Sequence, residues 1–285
     1  MLIINKKYKG VLSRDINDYP EGIVVVVDKP YRWTSADVIR KVKFAAIRHF
    51  AKKNLKVGHA GTLDPLATGV LVVCIGNACK QAEAIQAGEK AYLADVCFGA
   101  STASYDLEKE VDAFFPTDGV SEESVKAVLP NFLGEQDQVA PLFSAKQVDG
   151  RRAYDYARKL YAQGKALDEA AAELLTVNHI DITGMTMVGF GSSTGLYGKA
   201  GTGSQMAEGA SSRINVSEIP ADLPVATILV ECSKGTYIRS IARDLGESLG
   251  SGAFLSGLRR TRSGHFNASD ALPVDSVLDI LNKAQ

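Results

Sequence analysis

The chain has 285 residues, 46% of them hydrophobic and 23% charged, with 32 Lys+Arg against 33 Asp+Glu for a formal net charge of −1. This globular composition excludes collagen-like, disordered and disulfide-scaffold chains, and the length suffices to bury a full core in one large domain or two smaller ones. No run approaches ~18 consecutive apolar residues, and MLIINKKYKG at the start lacks the apolar core of a signal peptide, so neither a spanning helix nor a secretory leader is expected.

Ile23–Val27 is apolar and β-branched and predicts a buried strand stopped by Asp28-Lys29-Pro30. Thr34 with Asp37 three residues on is a capping-box variant, and Trp33 and Val38 are placed to form a hydrophobic staple. Val38, Ile39, Val42, Ala46 and Ile47 then recur at helical spacing. The other face of that helix is basic, with seven Lys/Arg and no acid from Arg40 to Lys56. Val70–Ile75 and Ala91–Phe98 predict two further strands. Residues 106–137 carry nine acids against Lys109 and Lys126 and contain a predicted helix, Ser121–Leu133.

Lys146–Lys165 turns basic again, with six cations against Asp149 and Asp155, and Arg151–Gln163 reads as a helix bearing Tyr154, Tyr156 and Tyr161. Gly184–Ser212, rich in Gly, Ser and Thr, reads as an insertion or flexible loop. Its Gly191-Ser192-Ser193-Thr194-Gly195 fits the GxSxG pattern without the strand and helix that a nucleophile elbow requires. Thr227–Glu231 predicts a strand, and Tyr237–Leu249 a helix with Ile238, Ile241, Leu245 and Leu249 on one face. Arg259, Arg260 and Arg262 with His265 form the last basic cluster. Strands outnumber simple βαβ alternation, so the fold class is α+β with a mixed sheet. Acidic and basic blocks that cancel in the sum still present a basic face to a polyanion, so the balanced total does not exclude a nucleic-acid partner. Cys74, Cys79, Cys97 and Cys232 lack the spacing of a zinc site and read as reduced, buried thiols of a cytosolic protein, and no dinucleotide or phosphate-loop motif is present.

The densest segment is Gly58-His59-Ala60-Gly61-Thr62-Leu63-Asp64-Pro65-Leu66-Ala67-Thr68-Gly69-Val70-Leu71, a tightly specified loop with one carboxylate at its centre leading into a strand. It resembles the catalytic motif of the TruB-type tRNA pseudouridine synthases. Asp28-Lys29-Pro30 with Trp33-Thr34-Ser35, Lys90-Ala91-Tyr92, Phe143-Ser144-Ala145-Lys146 with Gly150-Arg151-Arg152-Ala153-Tyr154, Cys232-Ser233-Lys234-Gly235-Thr236-Tyr237-Ile238-Arg239, and Leu258-Arg259-Arg260-Thr261 resemble that family's other motifs in order. The resemblance covers roughly residues 23–270 and implies a mostly antiparallel central sheet flanked by helices and loops.

The resemblance also implies roles. Asp64 falls on the essential aspartate, Tyr92 on the tyrosine that stacks on the target base, and Arg239 on the arginine that pairs with the aspartate. His59 matches the histidine that wedges into the RNA loop, and Lys29, Pro30 and Tyr237 match positions lining the site. Lys146, Arg151, Arg152, Arg259 and Arg260 are the expected RNA-binding cations, the first three within a tRNA-gripping segment at 139–165. The substrate is expected to be the T-stem-loop of tRNA, with no cofactor, no metal, no membrane and no obligate protein partner, in the cytoplasm. Attack on the sugar, attack on the ring and proton removal remain open as the path taken by Asp64. A single catalytic domain is expected over 1–285, with the insertion at 184–212 and without a complete C-terminal PUA-type RNA-binding domain.

Phe143 stands where the family commonly has tyrosine, and Thr102-Ala103-Ser104-Tyr105-Asp106 keeps part of its Thr-x-Thr-x-Asp pattern. Two alternatives share the same surface: a guide-RNA-dependent rRNA synthase and a tRNA-folding chaperone.

Overall fold

The computed structural model describes residues 1–141, 177–194, 214 and 216–282, and the backbone alone at 147–148 and 151–152. In chain order the strands are β1 (Leu2–Ile4), β2 (Ile23–Lys29), β3 (Val57–His59), β4 (Ala67–Ile75), β5 (Lys90–Phe98), β6 (Ala100–Thr102), β7 (Val111–Phe114) and β8 (Gly134–Val139). They continue with β9 (Gln147–Val148), β10 (Arg151–Arg152), β11 (Val177–Ser192), β12 (Pro224–Cys232), β13 (Ala253–Ser263), β14 (Phe266–Asn267) and β15 (Leu272–Pro273). The helices are α1 (Ser35–His49), α2 (Ala82–Ala87), α3 (Glu122–Val128), α4 (Ile238–Ser248) and α5 (Val274–Asn282). Among the described residues no helix is long and apolar enough to cross a membrane. The described chain clusters into two compact units, one formed by residues 1–93, 214 and 258–282, the other by 94–141, 177–194 and 216–257.

In the first unit β2 runs antiparallel to β4, from Ile23 opposite Ile75 to Lys29 opposite Gly69. Around that pair β1 and β15 lie parallel to β2, β3 lies antiparallel to β4, and β13 runs parallel to β4 through Leu258–Arg260. Every residue of β4 is buried, which is why the sequence shows an unbroken apolar run there rather than alternation. Val24, Val26, Val70, Val72 and Cys74 form the centre of its core with Ala60, Ala78 and Ala271. Helix α1 starts on the capping box expected of Thr34 and Asp37, each accepting from the other's backbone N–H at 3.0 Å, and packs against α5.

In the second unit β11 runs antiparallel to both β8 and β12, and β6 pairs antiparallel with β7. The fold is α+β with mixed, mostly antiparallel sheet, as expected.

Two readings are corrected. Gly184–Ser192, expected to open the insertion, is the second half of the 16-residue strand β11. Met185, Met187 and Phe190 share that stretch with Gly184 and Gly189, and both glycines sit at register shifts against β12, where a bulge accepts a residue without a side chain. Residues 195–212 lie outside the described residues. The helix expected from Arg151 does not begin there, because Arg151 and Arg152 pair antiparallel with Val148 and Gln147. The remainder, 153–163, also lies outside the described residues, as do the side chains of Lys146, Arg151 and Arg152.

Gly69, at φ +97°, marks the closest approach in the first unit: a Cβ there would stand 2.2 Å from the Arg260 carbonyl oxygen on β13. Both the left-handed backbone and the backbone contact oppose a side chain. Gly69→Ala is therefore expected to cost more than about 2 kcal/mol of unfolding free energy, checked by urea titration; a change under about 0.5 kcal/mol would contradict it.

A candidate active site framed by buried cations

Asp64 sits half-buried in the loop that joins β3 to β4, with its carbonyl accepting from Ala67 N at 3.1 Å. That loop is held from below by two cations. Lys29, at the end of β2, is fully buried, and its Nζ donates to the carbonyls of Pro30 at 3.0 Å, Trp33 at 2.6 Å and Pro65 at 3.1 Å. Three ammonium hydrogens thus meet three backbone oxygens, one of them on the residue after Asp64. Arg260, 1% exposed, donates from Nε to Val70 O at 2.8 Å, from Nη1 to Thr62 O at 3.2 Å and from Nη2 to Gly61 O at 3.1 Å.

Helix α1 supplies the third hold. Ser35 Oγ donates to Leu63 O at 3.0 Å and accepts from Leu63 N at 2.9 Å, so one buried hydroxyl pins the residue before Asp64. Arg32, at φ 61°, adds a backbone N–H to Pro65 O at 3.0 Å. Gly61, at φ +99°, lets the chain turn over the Arg260 guanidinium.

Burial pushes Lys29 down to about 7, opposed chiefly by the nearby Asp64 carboxylate, while Arg260 adds to the depression. Burial, with Arg260 second, also lowers His59 below the ordinary imidazole value, so the ring is neutral at pH 7. Its Nδ1 is buried and has no hydrogen-bond partner among the described residues. Tyr92 is half-buried on β5, and Pro30 is half-buried in the turn that Lys29 closes.

Arg259 and Arg260, expected together as RNA-binding cations, face opposite sides of β13, as strand neighbours must. Arg259 pairs with Asp28 through Nη2–Oδ2 at 2.8 Å and Nη1–Oδ1 at 3.1 Å and reaches Thr68 Oγ1 at 3.3 Å, remaining about a quarter exposed. Arg260 points inward, and its placement does not fit the expected RNA contact: each of its three nitrogens donates to a carbonyl of the Gly58–Leu71 segment. Ser35 and the inward role of Arg260 were not singled out, because neither hydroxyl nor guanidinium declares its direction before the register of β13 on β4 is known.

In the second unit Arg239, 4% exposed on the first turn of α4, forms an ion pair with Asp106 (Nε to Oδ2 3.7 Å) and donates to Ser104 O at 3.2 Å. Ser104 Oγ donates to Asp106 Oδ1 at 2.6 Å, and Thr102 Oγ1 to Asp106 O at 2.8 Å. The departure noted at Thr102–Asp106 therefore keeps its hydroxyl, since serine supplies what threonine would. Tyr237 is half-buried before α4, where the Gln138 amide exchanges two bonds with its backbone, Oε1 accepting from N at 2.8 Å and Nε2 donating to O at 3.1 Å. Ser240 Oγ donates to Val139 O at 2.8 Å and fixes the same helix start.

Comparison with known proteins bears on this loop. A model of the TruB family pseudouridylate synthase N-terminal domain matches residues 48–197, which include Asp64 and the Gly58–Leu71 loop. The chain belongs to the TruB family of pseudouridylate synthases. A second model, of the tRNA pseudouridylate synthase B C-terminal domain, matches residues 239–285. The chain is 40% identical to a tRNA pseudouridine synthase B of Phocaeicola vulgatus, over 94% of this chain and 97% of that one. It is 41% identical to another from Bacteroides fragilis, over 90% of this chain and 92% of that one. Among solved structures, a Cbf5-Nop10-Gar1 complex superposes with a TM-score of 0.57 at 23% identity, covering 97% of this chain and 58% of that one. An H/ACA RNP bound to a substrate RNA superposes with a TM-score of 0.53 at 23% identity, covering 91% of this chain and 53% of that one. This chain thus spans little more than half the length of those two, and the likeness is one of fold.

The sign of the Lys29 effect sets a stability test. With its folded value near 7 and an ordinary value of 10.5, the unfolded chain holds one more proton between those limits. This group therefore makes stability rise with pH across that window, by at most ~1.4 kcal/mol per unit, and adds no slope well below about pH 7. Urea unfolding of the parent and of Lys29→Met across this range should show a stability difference that grows with pH in the parent's favour; parallel curves would mean that Lys29 stays charged.

Proposed function

We propose that the protein isomerises uridine to pseudouridine at position 55 in the T loop of tRNA, with Asp64 as the catalytic carboxylate. The observation that carries this reading is the Gly58–Leu71 loop: a carboxylate on a segment whose flanking carbonyls are held by Lys29, Arg260 and Ser35. The named relatives, about 40% identical over nearly their whole length, support tRNA as the substrate.

A uracil stacked in an RNA loop cannot be reached, so the base must be flipped into a pocket at a cost of a few kcal/mol. Stacking on an aromatic recovers ~1–3 kcal/mol per base, the role proposed for Tyr92. A neutral His59, with a ring nitrogen that has no partner among the described residues, suits a side chain that replaces the extruded base. The reaction is internally balanced: the bond from C1′ to N1 breaks, one from C1′ to C5 forms, C5 loses a proton and N1 gains one. No electron, phosphate or carbon unit has to be supplied. Asp64 acts in its ionised form as nucleophile or base, and burial alone would oppose that charge. Arg239 carries the role that the family resemblance assigns it, a guanidinium that stays charged and favours the carboxylate. Lys146, Arg151, Arg152 and Arg259 are proposed as phosphate contacts, and the enzyme is proposed to work in the cytoplasm without an obligate protein partner. The guide-RNA-dependent alternative has only fold-level likeness behind it.

Two measurements test this reading. The purified chain alone should release tritium from a [5-³H]uridine-labelled, unmodified tRNA transcript. Asp64→Asn should abolish release while still binding the transcript; persistent turnover would remove Asp64 from its role. Binding should also weaken steeply between low and high salt, because phosphate contacts release counterions. An affinity flat over that range would contradict a phosphate-led interface.

A further inference from the structure

One groove in the first unit takes no part in the framed loop. It lies between α1 and α5, encloses about 510 Å³, and has an apolar floor that includes Trp33, Phe44 and Leu278. Arg40, Lys41 and Arg48 stand along it. Phe44 is 69% exposed, a phenyl face left in water on an otherwise polar helix side. Trp33 is only 5% exposed, yet its indole N–H finds no acceptor among the described residues. A buried donor left unanswered costs ~1–3 kcal/mol, a cost that an acceptor brought to this position would relieve.

Charge defines the missing group further. Lys41 Nζ stands 5.9 Å from the Trp33 ring centroid, and the Arg48 guanidinium 5.9 Å from that of Phe44. Asp37 is the acid of the groove, and its carboxylate is used by the Thr34 cap and by Arg40 at 3.0 Å. Arg48 donates to the Asn282 side chain at 2.7 Å, and among the described residues neither it nor Lys41 has a carboxylate partner. An aromatic face, an unanswered donor and two cations without a carboxylate partner among the described residues together suit a planar, acceptor-rich, anionic group. A nucleotide has all three properties. An acidic peptide answers the cations but brings no flat ring to Phe44.

We propose that this groove holds one unpaired nucleotide of the RNA substrate other than the target uridine, its base on Phe44 and its phosphate against Lys41 and Arg48. This rests on the RNA-modifying function proposed above. The site adjoins the catalytic frame, because the Trp33 carbonyl is the acceptor of the shortest Lys29 bond, at 2.6 Å.

Trp33 is the only tryptophan in the chain and lines this groove, so its emission reports on the groove and its immediate surroundings. The parent protein and Phe44→Ala are titrated with unmodified tRNA, following Trp33 emission and, by filter binding, the Kd. The expected result is a change of emission in the parent that saturates with binding, largely lost in Phe44→Ala, whose Kd rises about tenfold. An emission unmoved by saturating tRNA, with Phe44→Ala binding as tightly as the parent, overturns the proposal. A polyglutamate peptide that shifts the emission where tRNA does not would also overturn it and assign the groove to a protein. Tritium release by the parent is read separately, so a failed groove and a failed function are told apart.

Discussion

Two cations buried under one loop are the constraint on which the first unit depends. Taking an ammonium and a guanidinium out of water costs several kcal/mol each, and the nearby Asp64 carboxylate relieves only part of the Lys29 cost. What offsets it is backbone: six carbonyl oxygens, three to Lys29 Nζ and three to the Arg260 guanidinium, at 2.6–3.2 Å. Bonds to charged donors contribute roughly 1.5–3 kcal/mol apiece, so the arrangement is stable only if every oxygen stays in place. The loop therefore has one conformation compatible with both cations. Gly69 and Gly61 are necessary to it, the first because β13 passes too close for a Cβ, the second because the chain must turn through positive φ above Arg260.

That rigidity has a chemical consequence. A carboxylate that must meet a flipped base gains from being fixed before the substrate arrives, since orientation need not then be supplied during the reaction. The loop is fixed through its backbone carbonyls, independently of what its side chains contact. The second unit solves a similar problem with different groups. Asp106 is held by the Ser104 hydroxyl, by the Glu108 N–H at 2.9 Å and by Arg239, so a buried guanidinium there is fixed through a carboxylate rather than through carbonyls alone.

Much of this was legible in the sequence, for identifiable reasons. Strands β2, β4 and β5 announced themselves as apolar runs because both their faces are covered, and α1 announced itself through Thr34, Asp37 and its 3.6-residue periodicity. Asp64 was singled out from its motif, and the structure sets it in a loop held by Lys29, Arg260 and Ser35. The inward turn of Arg260 was not, because Arg259 and Arg260 are chemically alike and only the pairing of Leu258–Arg260 on Ala67–Gly69 decides which faces in. Composition misled at Gly184–Ser192, where glycines at bulges resemble the glycines of a loop. At Ser104 the reverse held: a change of residue type looked like a departure, but the hydroxyl that matters was retained.

The same distinction between inward and outward groups changes what the net charge means. A formal sum of −1 counts Lys29, Arg239 and Arg260 as though they met solvent, yet all three are buried and their fields are spent within the fold. Among the described residues, the motif cations Lys29, Arg239, Arg259 and Arg260 shape backbone or hold carboxylates. The cations that a polyanion can meet include those of the Arg40–Lys56 run, where α1 turns its apolar stripe inward and leaves Arg40, Lys41 and Arg48 along the groove with Phe44. Proximity in sequence to a catalytic motif is thus a poor guide to which cations contact RNA. The relevant feature is whether the cation's donors are already answered by the protein, and by that measure Lys41 is better placed to receive a phosphate than Arg260.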